Sequence, residues 1–337
     1  VIITIPDFLK LRDFLPTVDV RSESEFAEGH IRGAVNIPIL NNSERVAVGT
    51  DYKQKGQLEA IKTGFRLVGP RILDIVNAAE KVATTKELLV HCWRGGMRSA
   101  NFCQFVGMAK IKTHQLLGGY KAYRARALES FGLPFQYVIL GGFTGSGKSE
   151  ILRALARKGE QVLDLEKLAR HKGSVFGGLM MPPQPSTEQF QNELFEELLK
   201  LDLNKPVWVE DESITIGKIV LPDPFWKRMS VSPIVEMDVD REIRVQRLVN
   251  EYGPADTGQF MKAMSSIVKK LGGQHFQSAK EKLLSGDMAS TIEILLGYYD
   301  KAYGTGLSKK QARIRAKVQW NGKDADELSE LLIRHSR

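Results

Sequence analysis

Cysteine is scarce in this chain: Cys92 and Cys103 are the only two among 337 residues. Two thiols cannot staple a fold, which excludes a disulfide framework and makes a reducing compartment, the cytoplasm, the expected one. No apolar run approaches the roughly twenty residues that cross a bilayer, so no membrane association is expected. No leader pattern precedes the first strand either. The chain opens on Val1, so a few residues are expected to come before it. Internal repeats and low-complexity tracts are absent, which excludes solenoids and long flexible linkers.

What is present is ordinary globular composition, 42% hydrophobic and 26% charged, at a length that suggests two domains. Apolar runs and 3.6-residue periodicity alternate throughout, the pattern of an α/β protein with largely parallel sheets. Strands are expected at Thr17–Val20, Val35–Ile37, Leu88–His91, His114–Leu117, Tyr137–Leu140, Gln161–Asp164, Val207–Val209 and Pro233–Met237. The segment Ser130-Phe131-Gly132-Leu133-Pro134 divides the chain into domains at 1–130 and 135–337, the second with a helical C-terminal part.

Charge is unevenly placed. The net charge is +8, of which residues 1–134 contribute +6. Within the second part, Ser308 to Val318 carries Lys309, Lys310, Arg313, Arg315 and Lys317 without an acid. This stretch reads as a contact for phosphates or RNA, or as a solvated basic helix. Arg241, Arg244 and Arg247 recur every third residue on a helix and give a second candidate clamp, with a solvent-exposed face as the alternative.

The most informative segment is Leu88-Leu89-Val90-His91-Cys92-Trp93-Arg94-Gly95-Gly96-Met97-Arg98-Ser99. An apolar strand ends on a cysteine, a glycine-rich loop follows, and an arginine closes it as a helix begins. Backbone amides, helix dipole and guanidinium then converge on one centre. A thiol there is a nucleophile facing a tetrahedral oxyanion, with Arg94, Gly95, Gly96 and Arg98 as its cradle, Arg94 having an outward-facing solvated side chain as the alternative. Cys103, within the following helix, reads as a small core residue.

About fifty residues on, the strand Tyr137–Leu140 runs into Gly142-Phe143-Thr144-Gly145-Ser146-Gly147-Lys148-Ser149. This is G-x-x-x-x-G-K-S opening an amphipathic helix, a phosphate loop by spacing and context. Gly142, Gly145, Ser146 and Gly147 let amides wrap a diphosphate, Lys148 neutralises it, and Ser149 can reach Mg2+. Val207-Trp208-Val209-Glu210-Asp211 is an apolar strand ending in acids, and Asp164 ends another. Asp164, Glu210 and Asp211 are therefore candidates for metal-bound water or acid chemistry, with a surface acidic turn as the alternative for Glu210 and Asp211 and no metal ligand certain.

Asp19-Val20-Arg21-Ser22-Glu23-Ser24-Glu25-Phe26-Ala27-Glu28-Gly29-His30-Ile31-Arg32-Gly33-Ala34, taken with the Cys92 loop, resembles a rhodanese domain. That likeness implies a scaffold role for Asp19, Arg21 and His30, and a persulfide-type chalcogen adduct on Cys92. The spacing departs from it. Cys92 to Arg98 is C-x5-R, the spacing of dual-specificity phosphatases, where single-domain rhodaneses usually have C-x4-R. A wider cradle suits a whole phosphate-bearing donor.

A rhodanese-like domain fused to a phosphate-loop domain resembles the tRNA 2-selenouridine synthase family. Further likeness lies in Leu117-Gly118-Gly119-Tyr120-Lys121-Ala122, Asp164-Leu165-Glu166-Lys167-Leu168-Ala169, His171-Lys172-Gly173-Ser174-Val175-Phe176-Gly177 and Glu210-Asp211-Glu212-Ser213. The resemblance implies a tRNA-modifying transferase acting on wobble 2-thiouridine in the anticodon arm. It implies geranyl diphosphate and selenophosphate as co-substrates, no tightly bound cofactor, optional Mg2+, and a selenophosphate-supplying enzyme as a partner. Phe176, Leu179, Met180 and Met181 are candidates for the wall of a geranyl pocket, or ordinary core. Oligomeric state stays open. Two other readings compete: a rhodanese- or phosphatase-like enzyme fused to an ATP-dependent kinase, and an idle anion sensor regulating an RNA-binding NTPase.

Overall fold

The computed structural model describes residues 1–336. The chain divides into two compact units, Val1–Ser130 with Gln191–Glu196, and Phe131–Phe190 with the chain from Glu197 on.

Unit 1 is built on five parallel strands, β1 (Ile2–Ile3), β2 (Thr17–Asp19), β3 (Val35–Asn36), β4 (Glu87–His91) and β5 (Lys112–Leu116), in the order β1-β5-β4-β2-β3. Helices α1 (Ile5–Leu11), α2 (Glu23–Glu28), α3 (Asn42–Lys55), α4 (Gln57–Val68), α5 (Ile72–Val82), α6 (Met97–Met108) and α7 (Gly119–Ser130) connect them. Leu88, Leu89 and Val90 are all fully buried, as expected of a central parallel strand covered on both faces. Strand β4 therefore ends in the apolar core and delivers Cys92 to the carboxyl edge of the sheet, where ligands bind in such folds.

Helix α3 lies where no helix is expected from periodicity. Its sequence is too polar for an apolar stripe, and the signal is instead a capping box. Asn41 accepts the Glu44 N–H at 2.9 Å while Glu44 accepts the Asn41 N–H at 2.8 Å.

At the end of β2, which pairs with β4, Asp19 and Arg21 form an ion pair at 2.7 Å with both side chains withdrawn from solvent. Arg21 also donates to the Gly29 carbonyl at 2.6 Å and lies 3.8 Å from the Tyr120 ring centroid. Removing one member leaves a buried charge unpaired. Asp19→Ala is expected to cost about 3–5 kcal/mol in urea unfolding of the full chain. A loss below about 1 kcal/mol would mean that the pair is not structural.

Unit 2 carries a second five-stranded parallel sheet, β6 (Gln136–Gly142), β7 (Gln161–Leu163), β8 (Pro206–Glu210), β11 (Ile234–Val239) and β12 (Ile314–Trp320), in the order β12-β11-β6-β8-β7. A small antiparallel hairpin, β9 (Thr215–Ile216) and β10 (Ile219–Val220), stands apart. Its helices are α8 (Lys148–Arg157), α9 (Leu165–Ala169), α10 (Thr187–Leu198), α11 (Asp223–Val231), α12 (Arg241–Tyr252), α13 (Thr257–Ser265), α14 (Val268–Leu271), α15 (Gly273–Leu284), α16 (Met288–Ser308) and α17 (Ala325–Ser336). Residues of α12, α13, α15 and α16 enclose their own apolar cluster.

The basic stretch is not a helix. After a short 3-10 turn it is β12, the edge strand, with Val318 and Trp320 buried and Arg315 and Lys317 outward. Alternation of period two accounts for the difference, because the outward positions happen to be basic.

Candidate active sites: a cysteine loop and a phosphate loop

In unit 1, the Cys92 loop is held from behind by the turn that begins α7. The N–H groups of Tyr120 and Lys121 donate to the carbonyls of Cys92 and Trp93 at 2.8 and 2.9 Å. Gly119 has φ of +58°, and a Cβ there would strike the Cys92 carbonyl and the Gly95 amide. This close approach explains Gly119, because only glycine fits between two backbones at positive φ; Gly118 also takes a positive φ, of +74°.

Cys92 is 3% exposed, at the floor of the loop, and its Sγ lies 3.2 Å from the Ser99 Oγ. Ser99 Oγ donates to the Gly96 carbonyl at 3.1 Å and accepts from Gln115 Nε2 at 3.0 Å. Its single proton can serve either the carbonyl or a charged sulfur. Arg98 donates from two nitrogens to Glu25, at 2.6 and 3.2 Å. Burial pushes the Glu25 carboxyl up, but the Arg98 hydrogen bond and charge, with Ser22 and Arg45, hold it below its ordinary value. Arg98 is thus fixed at the loop's end by an acid, whereas Arg94 is exposed. Gly96 caps α6, so the helix dipole points into the loop.

His91, just before Cys92, is fully buried, with its Nδ1 3.8 Å from Asp19. Burial lowers its pKa and outweighs the pull of Asp19, so it stays neutral. Glu25, Gln115 and Gly119 are remote in sequence and reach the loop only through the fold, whereas Ser99 lies within the loop segment and its contact with the sulfur follows from the first turn of α6.

In unit 2, β6 ends at Gly142 and α8 begins at Lys148, with Gly145 and Gly147 at φ +81° and +84°. The loop borders a cavity of about 680 Å³. Gly142, Gly145, Ser146, Gly147, Lys148 and Ser149 all line it. Lys148 Nζ donates to the Gly142 carbonyl at 3.2 Å, and Ser149 Oγ donates to Glu166 at 3.0 Å.

Asp211 lines the same cavity and pairs with Lys310 at 2.6 Å. Glu210 lies behind it, fully buried, accepting the Glu166 N–H at 2.7 Å. Burial, then the Asp164 and Glu166 carboxylates, raise its pKa well above the usual range. Asp164 caps α9 through the Lys167 N–H at 2.8 Å and does not line the cavity.

Glu212 does line it, and burial, the charge of Glu166 and their shared hydrogen bond push its carboxyl up to about 8 against the opposing pull of Lys148. Between the ordinary value of 4.5 and about 8, the folded protein holds this proton while the unfolded chain has released it. Stability from the retained proton is thus complete below 4.5 and lost as pH rises to about 8. Glu212→Gln, neutral throughout, is expected to melt roughly 2–4 °C above the parent at alkaline pH, with chelator present. No difference is expected at the acid end, and equal melting at both ends contradicts this account.

The basic candidates separate. Arg247 ion-pairs with Glu150, lies 4.9 Å from the Trp320 ring centroid, and lines the cavity. Arg244 is buried, paired with Asp300 at 2.8 Å and donating to the Thr144 carbonyl at 3.2 Å, so it braces the loop from beneath. Arg241 donates to the Glu293 carbonyl at 2.8 Å. One helical face does not bring the three together. Arg313 donates to the Ser232 and Met229 carbonyls, Lys317 pairs with Glu236 at 3.0 Å, and Lys309 and Arg315 are exposed.

The apolar candidates also differ. Phe176 and Leu179 are buried in the helical core, and Met180 is exposed. Leu248, Tyr252 and Tyr299 line the cavity instead, with Phe176 behind both tyrosines. Lys172 and Arg153 line it too. Lys172, Glu166 and Glu212 lie inside the segments that carry the family likeness, and only the assembled cavity shows what they face.

Two family models match the chain. One, described as the tRNA 2-selenouridine synthase AAA domain, covers residues 135–330, and a rhodanese-like domain covers residues 6–126. A tRNA 2-selenouridine synthase of Bdellovibrio bacteriovorus is 33% identical over 359 aligned positions, spanning 92% of this chain and 94% of its own. One from Shewanella denitrificans is 34% identical, spanning 91% of each chain. Another from Nitrosomonas europaea is 34% identical over 80% of each.

Proposed function

The chain belongs to the tRNA 2-selenouridine synthase family, and from that premise we propose that it remakes the wobble 2-thiouridine of tRNA as 2-selenouridine through an S-geranyl intermediate. The observation that carries this reading is the pairing of a cysteine loop with a phosphate loop, each built on the carboxyl edge of a parallel sheet.

In the first step, the 2-thiouridine sulfur attacks the allylic carbon of geranyl diphosphate. An S–C bond forms, the C–O bond breaks, pyrophosphate leaves, and the base loses its N3 proton. Lys148 and the loop amides stabilise the charge that develops on the leaving diphosphate. Leu248, Tyr252 and Tyr299 give the geranyl chain an apolar wall. Among the described residues, no cluster of three or more His, Cys, Asp or Glu could hold a metal ion. Ser149 and Glu166 suit the minimal protein share of a Mg2+ site completed by diphosphate and water, and bound Mg2+ would add positive charge there.

In the second step, selenium from selenophosphate replaces the geranylated sulfur at C2. Alkylation has made that sulfur a good leaving group. The Cys92 loop, with Arg98 and the α6 dipole, supplies the anion cradle for selenophosphate. The enzyme works in the cytoplasm, where the thiol stays reduced.

Nucleoside mass spectrometry of 2-thiouridine tRNA incubated with the protein, geranyl diphosphate and selenophosphate tests the reading. S-geranyl-2-thiouridine is expected first and 2-selenouridine after it. Unchanged tRNA, with hydrolysis of added nucleotide, favours a phosphatase–kinase fusion instead.

A further inference from the structure

We propose that Cys92 takes up the phosphoryl group of the selenium donor, as a cysteinyl phosphate, and does not carry selenium. The inference rests on selenophosphate being the donor, as in the reading above. Three observations support it.

The first is electron balance. Selenium in selenophosphate and selenium in 2-selenouridine have the same formal oxidation state. A perselenide on Cys92 would need two electrons removed and later returned, and neither co-substrate is an oxidant. Attack of the thiolate on phosphorus needs none.

The second is the shape of the loop. Five residues separate Cys92 from Arg98, the sulfur lies at the floor, and the first turn of α6 points its dipole inward. This is a cradle for a phosphoryl group whose phosphorus faces the sulfur. Arg98 is fixed at the rim by two hydrogen bonds to Glu25.

The third is Ser99. Its hydroxyl is 3.2 Å from Cys92 Sγ and can turn its proton from the Gly96 carbonyl to the sulfur. A donor at that position stabilises a thiolate each time it forms or leaves. Gln115 and Gly96 hold the hydroxyl in place.

The sequence of bonds balances. The Cys92 thiolate attacks phosphorus, an S–P bond forms, and the P–Se bond breaks with its electron pair on selenium. That selenide, as HSe−, attacks C2 of the geranylated base, the C2–S bond breaks with its electron pair on sulfur, the selenium-bound proton passes to N3, and geranylthiolate departs to take a proton from water. Water then attacks the cysteinyl phosphate, orthophosphate departs, and the S–P pair returns to Cys92 with Ser99 donating to it. Water and the donor are the only reagents consumed besides the tRNA.

The test is a single-turnover reaction of pre-geranylated tRNA with selenophosphate labelled with 32P in one arm and 75Se in the other. Samples are denatured in SDS at alkaline pH, and the Cys92 peptide is counted. Phosphorus without selenium is expected on it. Ser99→Ala should slow breakdown of the adduct by roughly 10- to 100-fold and so accumulate label above the parent. Vanadate, which takes five-coordinate geometry on a nucleophilic sulfur, should inhibit selenation and leave geranylation unchanged.

Selenium without phosphorus on the Cys92 peptide overturns the proposal. So does normal turnover with no phosphorus in either the parent or Ser99→Ala and no response to vanadate. Absence of any 2-selenouridine from the parent protein is a different result, since it contradicts the functional reading itself.

Discussion

Cys92→Ser is expected to stop 2-selenouridine formation, by at least roughly 10³-fold in rate, while S-geranyl-2-thiouridine accumulates in the tRNA. A hydroxyl is of nearly the same size, so the loop keeps its backbone hydrogen bonds from Tyr120 and Lys121. It is, however, a far weaker nucleophile than a thiolate at neutral pH. The selectivity of the loss is the informative part. Cys92 belongs to unit 1 and the phosphate loop to unit 2, each with its own core. Equal loss of both steps would put the sulfur in geranyl transfer as well and refute the division of labour.

Lys148→Ala is expected to produce the opposite pattern. In the proposed first step the diphosphate leaves as a polyanion, and Lys148 is the cation that the phosphate loop itself sets against the developing charge, with Arg153, Lys172 and Arg247 elsewhere on the cavity wall. Loss of a comparable transition-state donor costs about 2.7–4 kcal/mol, or 10²–10³-fold in the chemical step. In the structure Lys148 reaches back to the Gly142 carbonyl at 3.2 Å, so its removal deletes one weak hydrogen bond and leaves Gly145 and Gly147 to shape the turn. Folding should survive, and melting within a few degrees of the parent confirms it. Geranylation at a normal rate would remove the phosphate loop from the first step.

Much of this architecture is legible from residues close together in the chain. The phosphate loop and the cysteine loop each lie in about eight consecutive residues after an apolar run, so neither needs tertiary information. What surrounds them does. Glu25 is 73 residues from Arg98, and Tyr303 is 161 from the Gly142 amide that it accepts. Spacing predicts Arg241, Arg244 and Arg247 on one face. Yet Arg244 is drawn inward by Asp300 on α16, a partner more than fifty residues away. The basic segment Lys309–Lys317 misleads for another reason. Charge suggests a solvated helix, while the alternating Ile314, Ala316, Val318 and Trp320 mark a strand whose pairing partner, β11, is remote. The acidic cluster also gains its character only from assembly. Glu212 is an ordinary carboxylate in sequence and becomes a weak acid because burial and Glu166 surround it.

The central claim is that two separate sites divide two chemical steps, and pre-geranylated tRNA addresses it directly. Lys148→Ala and Cys92→Ser are each given this tRNA with selenophosphate, and 2-selenouridine is quantified by mass spectrometry. Lys148→Ala should match the parent within about twofold, because its missing step has already been performed. Cys92→Ser should form none. Conversion by Cys92→Ser, or failure of Lys148→Ala, would contradict the account.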